Sequence, residues 1–138
     1  MKGFYSFLFT CMLFASHSLS AQDNSSVKMK EMLCSGRWSS LVEEQGGKLL
    51  TLSEADQNAY ILFKEDGTVI SGTIGENEEN AEKGEWKLVN NKIIVSLSDD
   101  TRIYRFNIKS NKSRYYLYAT FDIGDGPTTK VMVRNTNN

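Results

Sequence analysis

From Gly36 onward, apolar and polar residues alternate along the chain, and clusters of turn-forming residues interrupt the alternation at intervals. Successive side chains of a strand point to opposite faces, so a period of two is what a sheet with one dry and one wet face demands. The stretch EKGEWKLVNNKIIVSL, residues 82 to 97, allows a geometric test. Asparagine tolerates the positive φ of a two-residue hairpin turn. A turn at Asn90-Asn91 opposes Leu88 to Ile93, Trp86 to Val95 and Gly84 to Leu97, all on one apolar face. In that register Gly84 either leaves room beside the indole or marks a bulge.

The same test on IYRFNIKSNKSRYYLYATF, with a turn at Asn111-Lys112, opposes Ile108 to Tyr115, Phe106 to Leu117, Tyr104 to Ala119 and Arg102 to Phe121. A third hairpin turns at Asp66-Gly67, where a two-residue turn and a three-residue turn with a glycine bulge both fit, so its register over 59–75 stays open. Strands are expected over roughly 37–44, 59–65, 68–75, 84–89, 92–98, 102–109, 114–123 and 129–135. Eight strands with mostly local connections predict an all-β fold, an eight-stranded antiparallel up-and-down barrel, because closure removes exposed edges. A β-sandwich is the alternative.

Residues 1–20 read as a signal peptide: a basic start at Lys2, an apolar run from Phe4 to Phe14 too short to span a bilayer, and small residues at Ser18 and Ser20. Export to the periplasm or the exterior follows. Residues 21–32 are expected to form a polar tether with a short helix over Val27 to Met32, and 33–138 the barrel domain. Cleavage after Ser20 leaves 118 residues, with 15 basic against 17 acidic side chains and a formal charge of −2. It also removes Cys11 and His17, so Cys34 is left without a disulfide partner and the mature chain has no histidine. Cys34 reads as a small buried hydrophobe. Without histidine, and with no metal motif, nucleophile elbow or phosphate loop, an enzyme and a metal or cofactor are not expected. The slight negative charge and the lack of a continuous basic strip argue against nucleic acid.

Several spacings together resemble the small secreted lipocalin-like domains of bacteria, within the calycin barrels. They are Leu33-x-x-Gly36-x-Trp38, Phe63-x-x-Asp66-Gly67-Thr68, Gly84-x-Trp86-x-Leu88 followed by Asn-Asn, and Tyr104-x-Phe106-x-Ile108 with Leu117. The resemblance covers about residues 33 to 135. It implies that Gly36 and Trp38 form the closed floor of the barrel and that Arg134 covers the tryptophan.

In an up-and-down barrel, successive connections lie at alternate ends. The tight turns fall at the floor, with the start of the first strand. The connections 45–58, 76–83, 99–101 and 124–128 fall at the mouth, which gathers carboxylates from Glu43 to Asp125. Such a field disfavours anionic ligands. Trp86, placed toward the mouth, and Tyr104, Phe106, Leu117 and Phe121 either line a pocket for an apolar ligand or fill the core. Arg102 either anchors a ligand carboxylate or pairs with Asp99, Asp100 or Asp122. The run ENEENAE, 76–82, has carboxylates but not the glycine-centred spacing of a calcium loop. Two functions are expected from these features. One is a non-catalytic exported protein that binds a small apolar or neutral molecule at the mouth, or serves as an envelope accessory. The other is a protein-interaction module, of inhibitor or immunity type, that uses the acidic loops.

Overall fold

The structure, a computed structural model, describes residues 20–122 and 124–135, with side chains from Asn24 to Arg134. Apart from Ser20, the segment expected to be a signal peptide lies outside the described residues. Helix α1 (Ser20–Cys34) leads into β1 (Trp38–Gln45), β2 (Lys48–Leu50) and the single turn α2 (Glu54–Gln57). Then follow β3 (Ala59–Phe63), β4 (Thr68–Thr73), β5 (Glu82–Val89), β6 (Lys92–Leu97), β7 (Asp100–Asn111), β8 (Arg114–Asp122) and β9 (Pro127–Asn135). Each strand from β3 to β9 pairs antiparallel with the next, β1 pairs with β3, and β9 returns to pair with β1. The result is a closed eight-stranded antiparallel barrel rather than a sandwich, with β2 attached to β1 as a side arm. The helix is longer than the expected 27–32 segment and occupies the stretch read as a tether.

The hairpins show how far local chemistry fixes register. Asn90 and Asn91 both adopt positive φ, 48° and 59°, and Leu88, Trp86 and Gly84 oppose Ile93, Val95 and Leu97 as expected. The 7–8 hairpin differs: Ile108 opposes Leu117 and Phe106 opposes Ala119, two residues from the expected pairing. Asn111 pairs with Arg114, so the turn is Lys112-Ser113, and Lys112 takes the positive φ of 50°. Because the slip is two residues and not one, every side chain keeps its face. The 3–4 hairpin resolves as a three-residue loop, Glu65-Asp66-Gly67, closed by the Lys64 N–H donating to the Thr68 carbonyl at 2.8 Å, with Gly67 at φ 90°. The Thr68 N–H donates to the Asp66 carboxylate at 2.8 Å, the largest cause of that carboxyl's lowered pKa.

The arm of β2 lies within the expected 45–58 loop. Gly46 and Gly47, at φ 58° and 78°, form a two-residue turn that pairs Gln45 with Lys48. Its three residues are all exposed, so no alternation marks it. β1 meets β3 only at Trp38–Ile61 and Ser39–Tyr60. Beyond these pairs β1 bulges between Ser40 and Val42, and β2 takes the place beside it.

The β3–β4 wall has an apolar outer side as well. Its register puts Tyr60, Leu62 and Ile70 opposite in face to Phe63 and Val69, yet Tyr60 and Ile70 are buried. The Tyr60 ring lies across Gly72, where a Cβ would stand 2.8 Å from the ring, and the Arg37 guanidinium stacks on it at 4.4 Å. Glu78 then accepts from Arg37 at 3.0 Å and lies 3.5 Å from Lys64. The connection expected at the mouth as 76–83 runs over 74–81 and is therefore tied to the outer wall. The Arg37 hydrogen bond is the main reason the Glu78 carboxyl titrates below its ordinary range. A depressed carboxyl stabilises above its unfolded pKa and loses that contribution as pH falls through the folded value. We expect amide exchange of 74–81 to rise in that acid window while β6–β8 stay protected. Arg37→Met should shrink the step to the part that Lys64 supplies.

Candidate functional site

The floor is built first, because it closes the site. Leu33, next to last in α1, is fully buried, and its carbonyl accepts from the Trp38 indole N–H at 2.9 Å. A helix end leaves carbonyls without partners, and the indole satisfies one of them. The Arg134 guanidinium lies over the rings of Trp38 and Tyr115, at 5.2 and 4.7 Å, and Nη1 donates to the Ser35 carbonyl at 3.4 Å. Gly36 admits this side chain: a Cβ there would stand 3.0 Å from Arg134 Cδ. Burial lowers the Arg134 pKa, and its Nε is buried without a hydrogen-bond partner. Gly36, Trp38 and Arg134 thus meet at one place, although 98 positions separate the glycine from the arginine.

Trp86 belongs to the same end rather than to the mouth. Its indole N–H donates to the Lys64 carbonyl at 2.8 Å, its backbone N–H donates to Gly67, and its ring meets Phe63 edge-on at 5.1 Å. Both tryptophans therefore use their N–H groups on floor backbone and pack in one cluster with Leu33, Phe63, Val69 and Leu117. The expectation that Gly84 clears space for the indole is also corrected. A Cβ at Gly84 would run into the Ser96 carbonyl oxygen, so the close neighbour is the backbone of β6.

Above the floor the barrel is open. A cavity of about 610 Å³ runs from Phe63, Ile93, Leu117 and Met132 to a rim of Asp56, Glu82, Asp99 and Asp100. The deep part is apolar. Nearer the rim Arg102, Tyr104 and Lys130 join the lining. Arg102 Nε donates to Asp100 Oδ2 at 2.7 Å, so of the three aspartates expected as partners, Asp100 holds it. Lys130 stands 4.0 Å from Glu43. The Phe121 ring lies between these cations, 5.4 Å from Arg102 Cζ and 5.8 Å from Lys130 Nζ, with Tyr104 edge-on at 5.5 Å. Burial is the main cause raising the Tyr104 pKa; Asp100 and Glu43 add to it and Arg102 opposes it. For Arg102, burial works against the cation, but the Asp100 hydrogen bond and Tyr104 outweigh it and raise the pKa. The tyrosine stays neutral and the arginine a paired cation.

Of the residues read from sequence as a ligand surface, Arg102, Tyr104 and Leu117 line the cavity. Phe121 packs against Arg102, Lys130 and Tyr104 at the collar. Phe106 faces a separate groove, with Met29 and Met32 of α1 and Ile108. Lys130 and Ser40 were missed. Lys130 opposes Ala119, which sets its face, but the 8–9 connection with Gly124 and Gly126 at positive φ offers no tight-turn signature from which to read that register. Ser40 sits beside the bulge of β1, which interrupts the alternation. Among the described residues no group of three or more His, Cys, Asp or Glu could hold a metal ion, and no helix is long and apolar enough to cross a membrane.

A closed eight-stranded antiparallel barrel with a plugged floor and an open interior is the class these features define, and it is compatible with a calycin-like fold. No family model, curated protein or solved structure matches the chain in the comparisons with known proteins.

Proposed function

We propose that this protein is a non-catalytic, exported, lipocalin-like carrier that holds a small amphipathic molecule in the barrel, apolar end down and neutral or cationic end at the rim. The observation that carries the reading is the cavity of about 610 Å³, within the ordinary range of small-molecule sites, apolar below and polar at the collar. The Gly36, Trp38 and Arg134 cluster supports the lipocalin-like character. Export rests on the pattern of residues 1–20. The head-group preference follows from charge. Arg102 and Lys130 each face a carboxylate, and Asp56, Glu82 and Asp99 add negative potential at the opening. The interaction-module alternative fits a filled barrel better than an open one.

Calorimetric titration with neutral, cationic and anionic amphiphiles sharing one tail tests this at two salt concentrations. The neutral and cationic members should bind, and the anionic one several-fold more weakly at low salt, with the gap narrowing as screening increases. Ala119→Trp, which fills the cavity from β8, should abolish binding while the barrel stays folded. Tight anionic binding that survives in Arg102→Lys and disappears in Arg102→Ala would replace this reading with a carboxylate anchor. Binding by none of the three would shift the assignment to the interaction module.

A further inference from the structure

The outer wall of β5–β8 carries the opposite charge to the mouth. Its registers put Lys87, Lys92, Arg105, Lys109 and Arg114 on one face: Lys92 opposes Arg105, Lys109 opposes Tyr116, and Lys87 opposes Ile94, which in turn opposes Ile103. All five cations are exposed. The ion pairs of the described residues, Arg37–Glu78, Lys64–Glu78, Arg102–Asp100 and Lys130–Glu43, use none of them. Two carboxylates share this face on its mouthward side, Glu85 two residues from Lys87 along β5 and Asp122 at the end of β8. Between the cations stand Ile103, 56% exposed, and Val89, 41% exposed, with Tyr118 beneath Lys109 at 5.0 Å.

We propose that this wall docks the protein on an anionic lipid surface. Cations at headgroup level with aliphatic and tyrosine side chains among them form the composition that an anionic bilayer interface takes up. The aliphatic residues decide against a soluble polyanion. Phosphodiester and carboxylate groups reward the lysines and arginines, but Ile103 and Val89 gain only where an apolar phase lies under the headgroups. The wall runs parallel to the barrel axis, so the docked barrel lies on its side with its acidic mouth clear of the lipid. Failure of this proposal leaves the cavity reading intact, since the two use opposite faces of the same strands.

The test is co-sedimentation of the full chain with phosphatidylglycerol–phosphatidylcholine vesicles and with pure phosphatidylcholine vesicles. The readout is the ratio of the two partition coefficients, which cancels any charge-independent contribution of the apolar run near the start of the chain. The wild type should prefer the anionic vesicles at low salt and lose the preference at high salt. The double variant Lys92→Gln/Arg105→Gln should lower it roughly thirtyfold, in keeping with the effect of two basic side chains at an anionic surface. Ile103→Ser should weaken anionic binding several-fold with the salt dependence unchanged. All three positions are exposed, so thermal unfolding should be unaffected. Equal partitioning into both vesicle types, or a preference that survives in the double variant, overturns the proposal. An unchanged Ile103→Ser, or tighter binding to oligo(dT) than to the anionic vesicles at the same salt, overturns it in favour of a soluble polyanion.

Discussion

Trp38→Ala should cost about 3 to 5 kcal/mol of stability, the usual range for truncating a fully buried large aromatic. The indole has no exposed surface and sits between Leu33 and Arg134. Its loss leaves three defects: a cavity at the floor, a Leu33 carbonyl without a donor, and a guanidinium whose stacking partner has gone. Chemical denaturation measures the cost, and Trp38→Phe separates its parts. Phenylalanine keeps a ring beneath Arg134 and surrenders the hydrogen bond, so it should cost about 1 to 2 kcal/mol. Amide exchange should show α1 opening first in either variant, because Leu33 is the buried residue that ties the helix to the core. A loss below about 1 kcal/mol for Trp38→Ala would mean that the floor does not rest on this residue.

Gly84→Ala should be nearly as damaging, about 3 kcal/mol, at the upper end of ordinary overpacking. The added methyl meets the Ser96 carbonyl of the paired strand, and a ladder backbone yields far less than a side-chain tip. The double-mutant cycle with Trp86→Leu identifies the cause. If the glycine makes room for the indole, shrinking Trp86 relieves the alanine and the two changes couple strongly. The structure predicts little coupling, because the obstructing atoms belong to β6. Full rescue of Gly84→Ala by Trp86→Leu would return the position to the indole.

These two residues also show what could be read from sequence. The 5–6 hairpin was legible because its two asparagines specify the turn and alternation specifies the face, both over a dozen residues. The 7–8 hairpin was half legible. Its face followed from alternation, but Asn111, Lys112 and Ser113 offer two turns one residue apart, which shift the pairing by two residues, and both keep Ile108, Phe106 and Tyr104 inside. Of the two Gly-x-Trp triplets, Gly36-Arg37-Trp38 and Gly84-Glu85-Trp86, the glycine of the first faces an arginine from the far end of the chain and that of the second faces a carbonyl of the next strand. Nothing in Gly-x-Trp distinguishes these cases.

Period two and turn chemistry, acting over short separations, are enough to make this chain a meander of antiparallel strands with one dry face. Closure through β1 and β9, the helix plug under Trp38, the withdrawal of Trp86 to the floor and of Glu78 to the outer wall, and the pairing of Lys130 with Glu43 depend on contacts between distant segments. So does the open interior. Whether inward side chains fill a barrel depends on how the walls are staggered around the axis, and a two-residue slip changes the stagger while leaving the pattern of faces untouched.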